Sequence, residues 1–135
     1  PMMAAAELQD GARLFFRNAD ANSWGVLNTT EDFAKDHPDI VKRVLATYEV
    51  ARKWSLANPD KLKALLAKAA KLPEDVIARQ LERNDLTYSS IGDQQKATIL
   101  AAGLALQKAG VLKADVDVKA AVDALVDTDF PVAAQ

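Results

Sequence analysis

The spacing of apolar positions predicts a chain built mainly from helices. Proline is tolerated in the first turn of a helix, because its missing N–H would have no partner there. Pro38, Pro59 and Pro73 each precede a stretch with helical periodicity, so each is expected to mark a helix start. In the helix from Pro38, the stripe expected to be buried comprises Ile40, Val41, Val44, Leu45, Tyr48, Ala51, Trp54 and Ser55.

Four further helices are expected from capping and periodicity. One covers residues 1–9, and another starts near Thr29 with Asp32 in its first turn. The helix 93–109 is apolar almost all round and stops at Gly110, so it is expected to lie between other elements. Asp117 is expected to cap a last helix that runs to Val126.

Two short stretches have the composition of β-strands, Ala12–Arg17 and Ser23–Asn28. A pair of strands alone is only marginally stable in water, and apolar strands need cover on both faces. Residues 1–28 are therefore interpreted as a piece of a larger sheet. The predicted fold class is α/β, mostly helical with about two strands.

Composition narrows the function classes. The 135 residues carry a net charge of -2 with no basic stripe, so no nucleic-acid partner is expected. Without cysteine there is no disulfide or thiolate chemistry, and His37 is the only histidine. No nucleophile, phosphate-loop or metal-ligand pattern is present. We therefore expect no catalytic residues, no metal site, no cofactor and no enzymatic activity.

Several segments, in order, resemble the substrate-binding proteins of ABC importers of the aliphatic sulfonate, taurine and nitrate type. Residues 1–8 resemble the stretch that follows a Trp-Asp at a lip of that family's cleft, although the Trp and Asp are absent here. Residues 11–15 and 23–28 are similar to the two strands that come next. Phe33-Ala34-Lys35-Asp36-His37-Pro38 and Trp54-x-x-x-Asn58-Pro59 resemble two helix–proline junctions of the family.

The resemblance implies the C-terminal part of a bilobed periplasmic-binding-protein fold of type II. Residues 1–22 would end the second lobe, and 23–135 would supply a hinge-proximal strand and the C-terminal helices. The implied function is capture of a small organic anion, an aliphatic sulfonate, in the cleft and its delivery to an ABC permease in the membrane. The implied location is the periplasm, or a lipid-anchored extracellular position.

The candidate ligand-binding residues fall in two places. Pro1 and Met2 would lie at the cleft lip, the alternative being a frayed terminus. Asn22, Ser23 and Trp24 begin the hinge-proximal segment, where amide and hydroxyl groups can donate to an anion and an indole can stack on its organic tail. The alternative is a turn followed by a core tryptophan.

Other functions remain open at this point. The same fold can bind nitrate, taurine or a pyrimidine precursor, and the discriminating contacts are expected upstream of this chain. A freestanding helical interaction module, with the two strands in a hairpin, is the alternative from another class. As one wall of a cleft, the isolated chain is expected to bind ligand weakly or not at all, and to complete its fold by self-association.

Overall fold

The computed structural model describes residues 1–19 and 24–130, and it is 63% helical. Seven α-helices lie in these ranges. They are α1 (Met2–Gln9), α2 (Glu31–Asp36), α3 (Pro38–Ala57), α4 (Pro59–Ala70), α5 (Glu74–Leu81), α6 (Asp93–Lys108) and α7 (Val118–Leu125).

The α/β prediction is wrong for the part of the chain that the structure describes, which contains no strand. Residues 12–18 and 24–30 lie outside helices, as expected, but neither joins a β-ladder. The physical reason is that a strand exists only where a second strand takes its backbone N–H and C=O groups. The local composition was strand-like, but neither stretch has such a neighbour among the described residues.

The predicted helix starts are confirmed with small shifts. Helices α3 and α4 begin at Pro38 and Pro59, and α5 begins one residue after Pro73. The N-cap of α2 is Thr30, not Thr29, because the Thr30 hydroxyl accepts from the Phe33 N–H at 3.2 Å. The Asp117 carboxylate caps α7 by accepting from the Ala120 N–H at 2.9 Å.

The chain divides into two compact units, residues 1–17 with 45–89, and 18–44 with 90–135. In the first unit α5 packs against both α1 and α4. Its buried apolar side chains are Ala4 of α1, Ala67 of α4, and Val76 and Ile77 of α5. Burial of these residues positions α1 and the segment that follows it.

The second unit is organised by the packing of α6 on α7. Val118, Val122 and Val126 form its buried cluster, with Ile99, Leu100 and Leu112 packed against it. The Gln107 amide donates to the Val116 carbonyl at 2.8 Å and the Lys113 carbonyl at 3.0 Å, which holds the connection between the two helices.

Two burial predictions are wrong. No residue of α3 is buried, and the side chains of Tyr48 and Trp54 are 56% and 38% exposed. In α6 the buried residue is Gln95, while Leu104 and Leu106 are exposed. Periodicity identified an apolar stripe correctly in α3, but burial also requires an element that covers the stripe.

Candidate functional surface

The sequence-predicted site residues fall in different parts of the structure. Pro1 is exposed at the start of α1, where its carbonyl accepts from the Ala5 N–H at 2.9 Å. Met2 follows it and is 85% exposed. Trp24 is half-buried and belongs to the second unit, whereas Pro1 and Met2 belong to the first. Asn22 and Ser23 lie outside the described residues.

The first helix–proline junction that carried the resemblance is a compact hydrogen-bonded corner. The His37 N–H donates to the Phe33 carbonyl at 2.9 Å and closes α2, while the rings of Phe33 and His37 are 5.0 Å apart. The His37 carbonyl accepts from the Ile40 and Val41 N–H groups at 3.1 and 3.2 Å and so opens α3. His37 therefore joins α2 to α3 beside Pro38, where the sequence predicted a helix start.

The second junction uses Asn58 in a similar way. Its side-chain amide donates to the Trp54 carbonyl at 2.9 Å, which pairs a carbonyl in the last turn of α3. Its own carbonyl accepts from the Leu62 N–H at 2.9 Å in the first turn of α4. The Trp54-x-x-x-Asn58-Pro59 pattern thus encodes the end of one helix and the beginning of the next.

We call residues 1–17 the N-terminal surface. Gly11 adopts φ +67, a left-handed conformation that glycine takes without a steric penalty, and it ends α1. The Ala12 N–H returns to the Ala6 carbonyl at 2.9 Å. The chain then leaves the helix and presents Phe15 and Phe16 at 93% and 73% exposure. Exposed apolar residues in such a run typically mark a surface that another element covers.

An ion pair fixes this surface to the rest of the first unit. The Arg83 Nη2 donates to the Glu7 Oε2 at 2.7 Å and lies 2.7 Å from Oε1 as well, with both side chains largely buried. The hydrogen bond from Arg83 holds the pKa of Glu7 below its ordinary value, and the Arg83 charge acts in the same direction. Glu7 in turn raises the pKa of Arg83. The carboxylate therefore stays ionised and neutralises a guanidinium that has little access to water.

A second arginine fixes the segment that follows α5. The Arg52 guanidinium binds both Glu49 carboxylate oxygens, at 2.7 and 2.8 Å. It also donates to the Leu86 carbonyl at 2.8 Å. This contact ties residue 86 to α3, and the Asp85 carboxylate shapes the next turn by accepting from the Thr87 N–H at 2.8 Å.

Sequence reasoning missed Glu7, Arg83 and Arg52. Glu7 and Arg83 are 76 positions apart, and no sequence pattern links two residues at that distance. The only local signal was Glu49 and Arg52, which are three residues apart on one helix. The carbonyl contact made by Arg52 could not be inferred from that spacing.

The chemistry that this surface offers is binding by apolar contact and positive charge. No group of three or more metal-ligating side chains occurs within residues 1–19 and 24–130. Over the same ranges, no helix is both long enough and apolar enough to cross a bilayer.

No family model, curated protein or solved structure matches this chain.

Proposed function

We propose that the chain is the C-terminal part of a solute-binding protein that captures an aliphatic sulfonate and delivers it to an ABC permease. The observation that carries this proposal is the ordered pair of helix–proline junctions, His37-Pro38 and Asn58-Pro59. Both junctions resemble those of the sulfonate, taurine and nitrate binding proteins. Their hydrogen bonds give a physical reason for the pattern, since each polar residue serves the helix on either side of it.

The exposed N-terminal surface supports the same proposal. Met2, Phe15 and Phe16 expose most of their apolar area to solvent. In a larger binding protein the apolar area around Met2 would be covered by the part that holds the anion. The proposal keeps Pro1, Met2, Asn22, Ser23 and Trp24 as the candidate ligand-binding residues. It assigns the chain to binding in the periplasm, or at a lipid-anchored position outside the cell, rather than to catalysis.

The test uses the full-length protein that carries this chain, its length established by intact mass. Binding of alkanesulfonates, taurine and nitrate is measured by calorimetry and thermal shift. We expect an alkanesulfonate to bind and to raise the melting temperature by preferential binding to the folded state. Trp24→Ala is expected to weaken binding, while Tyr48→Ala, an exposed aromatic on α3, serves as the matched control.

Two outcomes would count against this proposal. Full-length protein that binds none of these anions would remove the function. Micromolar binding of an alkanesulfonate by the 135-residue chain alone would show that no further part of the protein is needed to enclose the ligand.

A freestanding helical interaction module is the second candidate, favoured by one observation. The described residues form helices without any strand, which fits a helical module but not the hairpin predicted for it. This candidate predicts a protease-resistant monomer of the 135-residue chain that ignores sulfonates. Limited proteolysis and sedimentation of the purified chain separate it from the first proposal, which predicts cleavage or self-association.

A further inference from the structure

The segment Arg13–Arg17 has unpaired backbone as well as exposed side chains. Within the described residues, no backbone N–H or C=O group of 13–17 takes part in a hydrogen bond. The preceding residue is the last one anchored, through the bond from the Ala12 N–H to the Ala6 carbonyl. A row of free donors and acceptors beside exposed apolar side chains is the feature to which a further β-strand adds.

The side chains on this segment divide into two chemically different faces when the chain is extended. Successive side chains point in opposite directions, so Arg13, Phe15 and Arg17 share one face, and Leu14 and Phe16 share the other. The first face is basic at both ends and aromatic in the middle. All of these side chains are exposed, and Arg17 also donates a 3.4 Å hydrogen bond to the Arg83 carbonyl.

The charges at the two ends determine which strand can pair here. In an antiparallel pair centred on Phe15, a second copy would place its Arg17 opposite Arg13 and its Arg13 opposite Arg17. A parallel pair in register would place each arginine beside its own copy. Like charges at opposing positions destabilise a pair of strands, so a second copy is disfavoured in both arrangements. The chain's other strand-like stretch, 24–28, carries no carboxylate and cannot complement the arginines.

We infer that Arg13–Arg17 is a docking edge for a β-strand of a separate partner protein, apolar at its centre and with carboxylates four residues apart. The two carboxylates pair with Arg13 and Arg17, and the apolar centre covers Phe15. Backbone hydrogen bonds alone would leave such a pair of strands marginal in water. Burial of the apolar centre against Phe15 and the two charge pairs supply the remaining affinity, and the charge pairs also set the register and the choice of partner. This inference concerns a protein contact and holds whichever anion the protein captures.

Glu7 helps to hold the docking edge in place and does not compete with a partner strand for Arg13. Glu7 is engaged by Arg83, so it is not available to neutralise Arg13. The ion pair also holds α1, and with it the start of the segment, against α5. The edge is therefore presented from a fixed helix with both of its arginines exposed.

The test measures binding of a labelled peptide to the 135-residue chain by fluorescence anisotropy. The probe is an end-labelled peptide TEVVVET, and its matched control is TKVVVKT, which differs only in charge. Two cross-strand pairs change from attraction to repulsion between these peptides, so we expect the acidic peptide to bind about tenfold more tightly. The peptide TEVPVET, which lacks a central N–H, is expected to bind more weakly than TEVVVET.

Charge reversal on the protein gives the decisive comparison. The double variant Arg13→Glu/Arg17→Glu is expected to invert the preference, binding TKVVVKT more tightly than TEVVVET. The single variant Arg13→Glu, which leaves the Arg17 contact intact, should reduce the preference by about half on a logarithmic scale. Lys61→Glu/Lys68→Glu on α4 makes the same change in net charge at exposed positions and should leave the preference intact.

Each alternative outcome overturns the inference. The arginines do not select a partner if the two peptides bind equally well or if neither binds. The same conclusion follows if both double variants change the preference between the peptides equally. Dimerisation in sedimentation that Phe15→Pro abolishes would assign the segment to a second copy. Far-UV circular dichroism checks that each variant keeps its helices, which is expected because all of the altered side chains are exposed.

Discussion

The contact between α6 and α7 at Gly103 is tight. The effect of Gly103→Ala on the free energy of unfolding should therefore change sign when Val118 is shortened to alanine. A Cβ built on Gly103 would lie 2.5 Å from the Val118 Cγ1, well inside van der Waals contact. Val118 is 5% exposed and belongs to the buried cluster of the second unit, so it has little freedom to move away. Gly103→Ala therefore sets a gain in helix propensity against a packing clash.

The magnitudes follow from these two effects. Alanine is favoured over glycine inside a helix by about 1 kcal/mol, and forcing an extra methyl into a packed core costs about 2 kcal/mol. Gly103→Ala should then lower the free energy of unfolding by about 1 kcal/mol. Val118→Ala should lower it by about 2 kcal/mol, from lost burial and a residual cavity.

The double variant separates the clash from any other effect of the alanine. With Val118 shortened, the nearest remaining atom is its Cβ at 4.0 Å, an ordinary contact. In that background Gly103→Ala should raise the free energy of unfolding by about 1 kcal/mol. The coupling between the two positions is then about 2 kcal/mol.

Urea denaturation of all four proteins, followed by circular dichroism at 222 nm, measures the cycle. Amide exchange at Val122 and Val126 shows whether the change is located in the second unit. The same sign for Gly103→Ala in both backgrounds would refute the reasoning, because the alanine would then act without regard to Val118.

Two further predictions concern the polar contacts. The pKa of Glu7 lies below its ordinary value of 4.5, so the folded state should lose the stability of this pair as pH falls from near 4.5 through the depressed folded pKa. Glu7→Gln should flatten that acid limb in pH-dependent urea denaturation, whereas Glu74→Gln at the exposed start of α5 should leave it unchanged; equal limbs in all three proteins would contradict the assignment. Asp117→Ala removes the cap of α7 and should cost about 1 kcal/mol, with faster amide exchange at Ala120, and Asp115→Ala two residues earlier is the control, which should differ from the parent chain by less than half as much.

The helix boundaries were largely predictable because their causes are local. A proline fixes its own backbone angle and lacks a donor, so Pro38 and Pro59 could be placed at helix starts without knowledge of the fold. The same holds for Asp117, whose carboxylate reaches a backbone N–H three residues along the chain. The one-residue error at Thr29 arose because adjacent threonines have the same capping chemistry.

The candidate site was less predictable because its contacts join distant parts of the chain. Met2 stays a predicted ligand-binding residue, and nothing near it in sequence indicated that Arg83 would hold its helix in place through Glu7. The unpaired edge at Arg13–Arg17 was also not foreseen, since the composition of the segment predicted a strand already paired within a sheet.

What the sequence alone determined, then, is where the chain can be helical and where it cannot. Capping, proline geometry and apolar spacing act over three or four residues, and each is present in the unfolded chain as well as the folded one. Tertiary structure decided which apolar positions are covered: Val76 and Ile77 of α5 and Val118 and Val122 of α7 are buried, whereas no residue of α3 is. It also decided that the strand-like residues 13–17 remain without a partner in the described structure, because a strand requires hydrogen bonds from a second segment, which its own residues cannot provide.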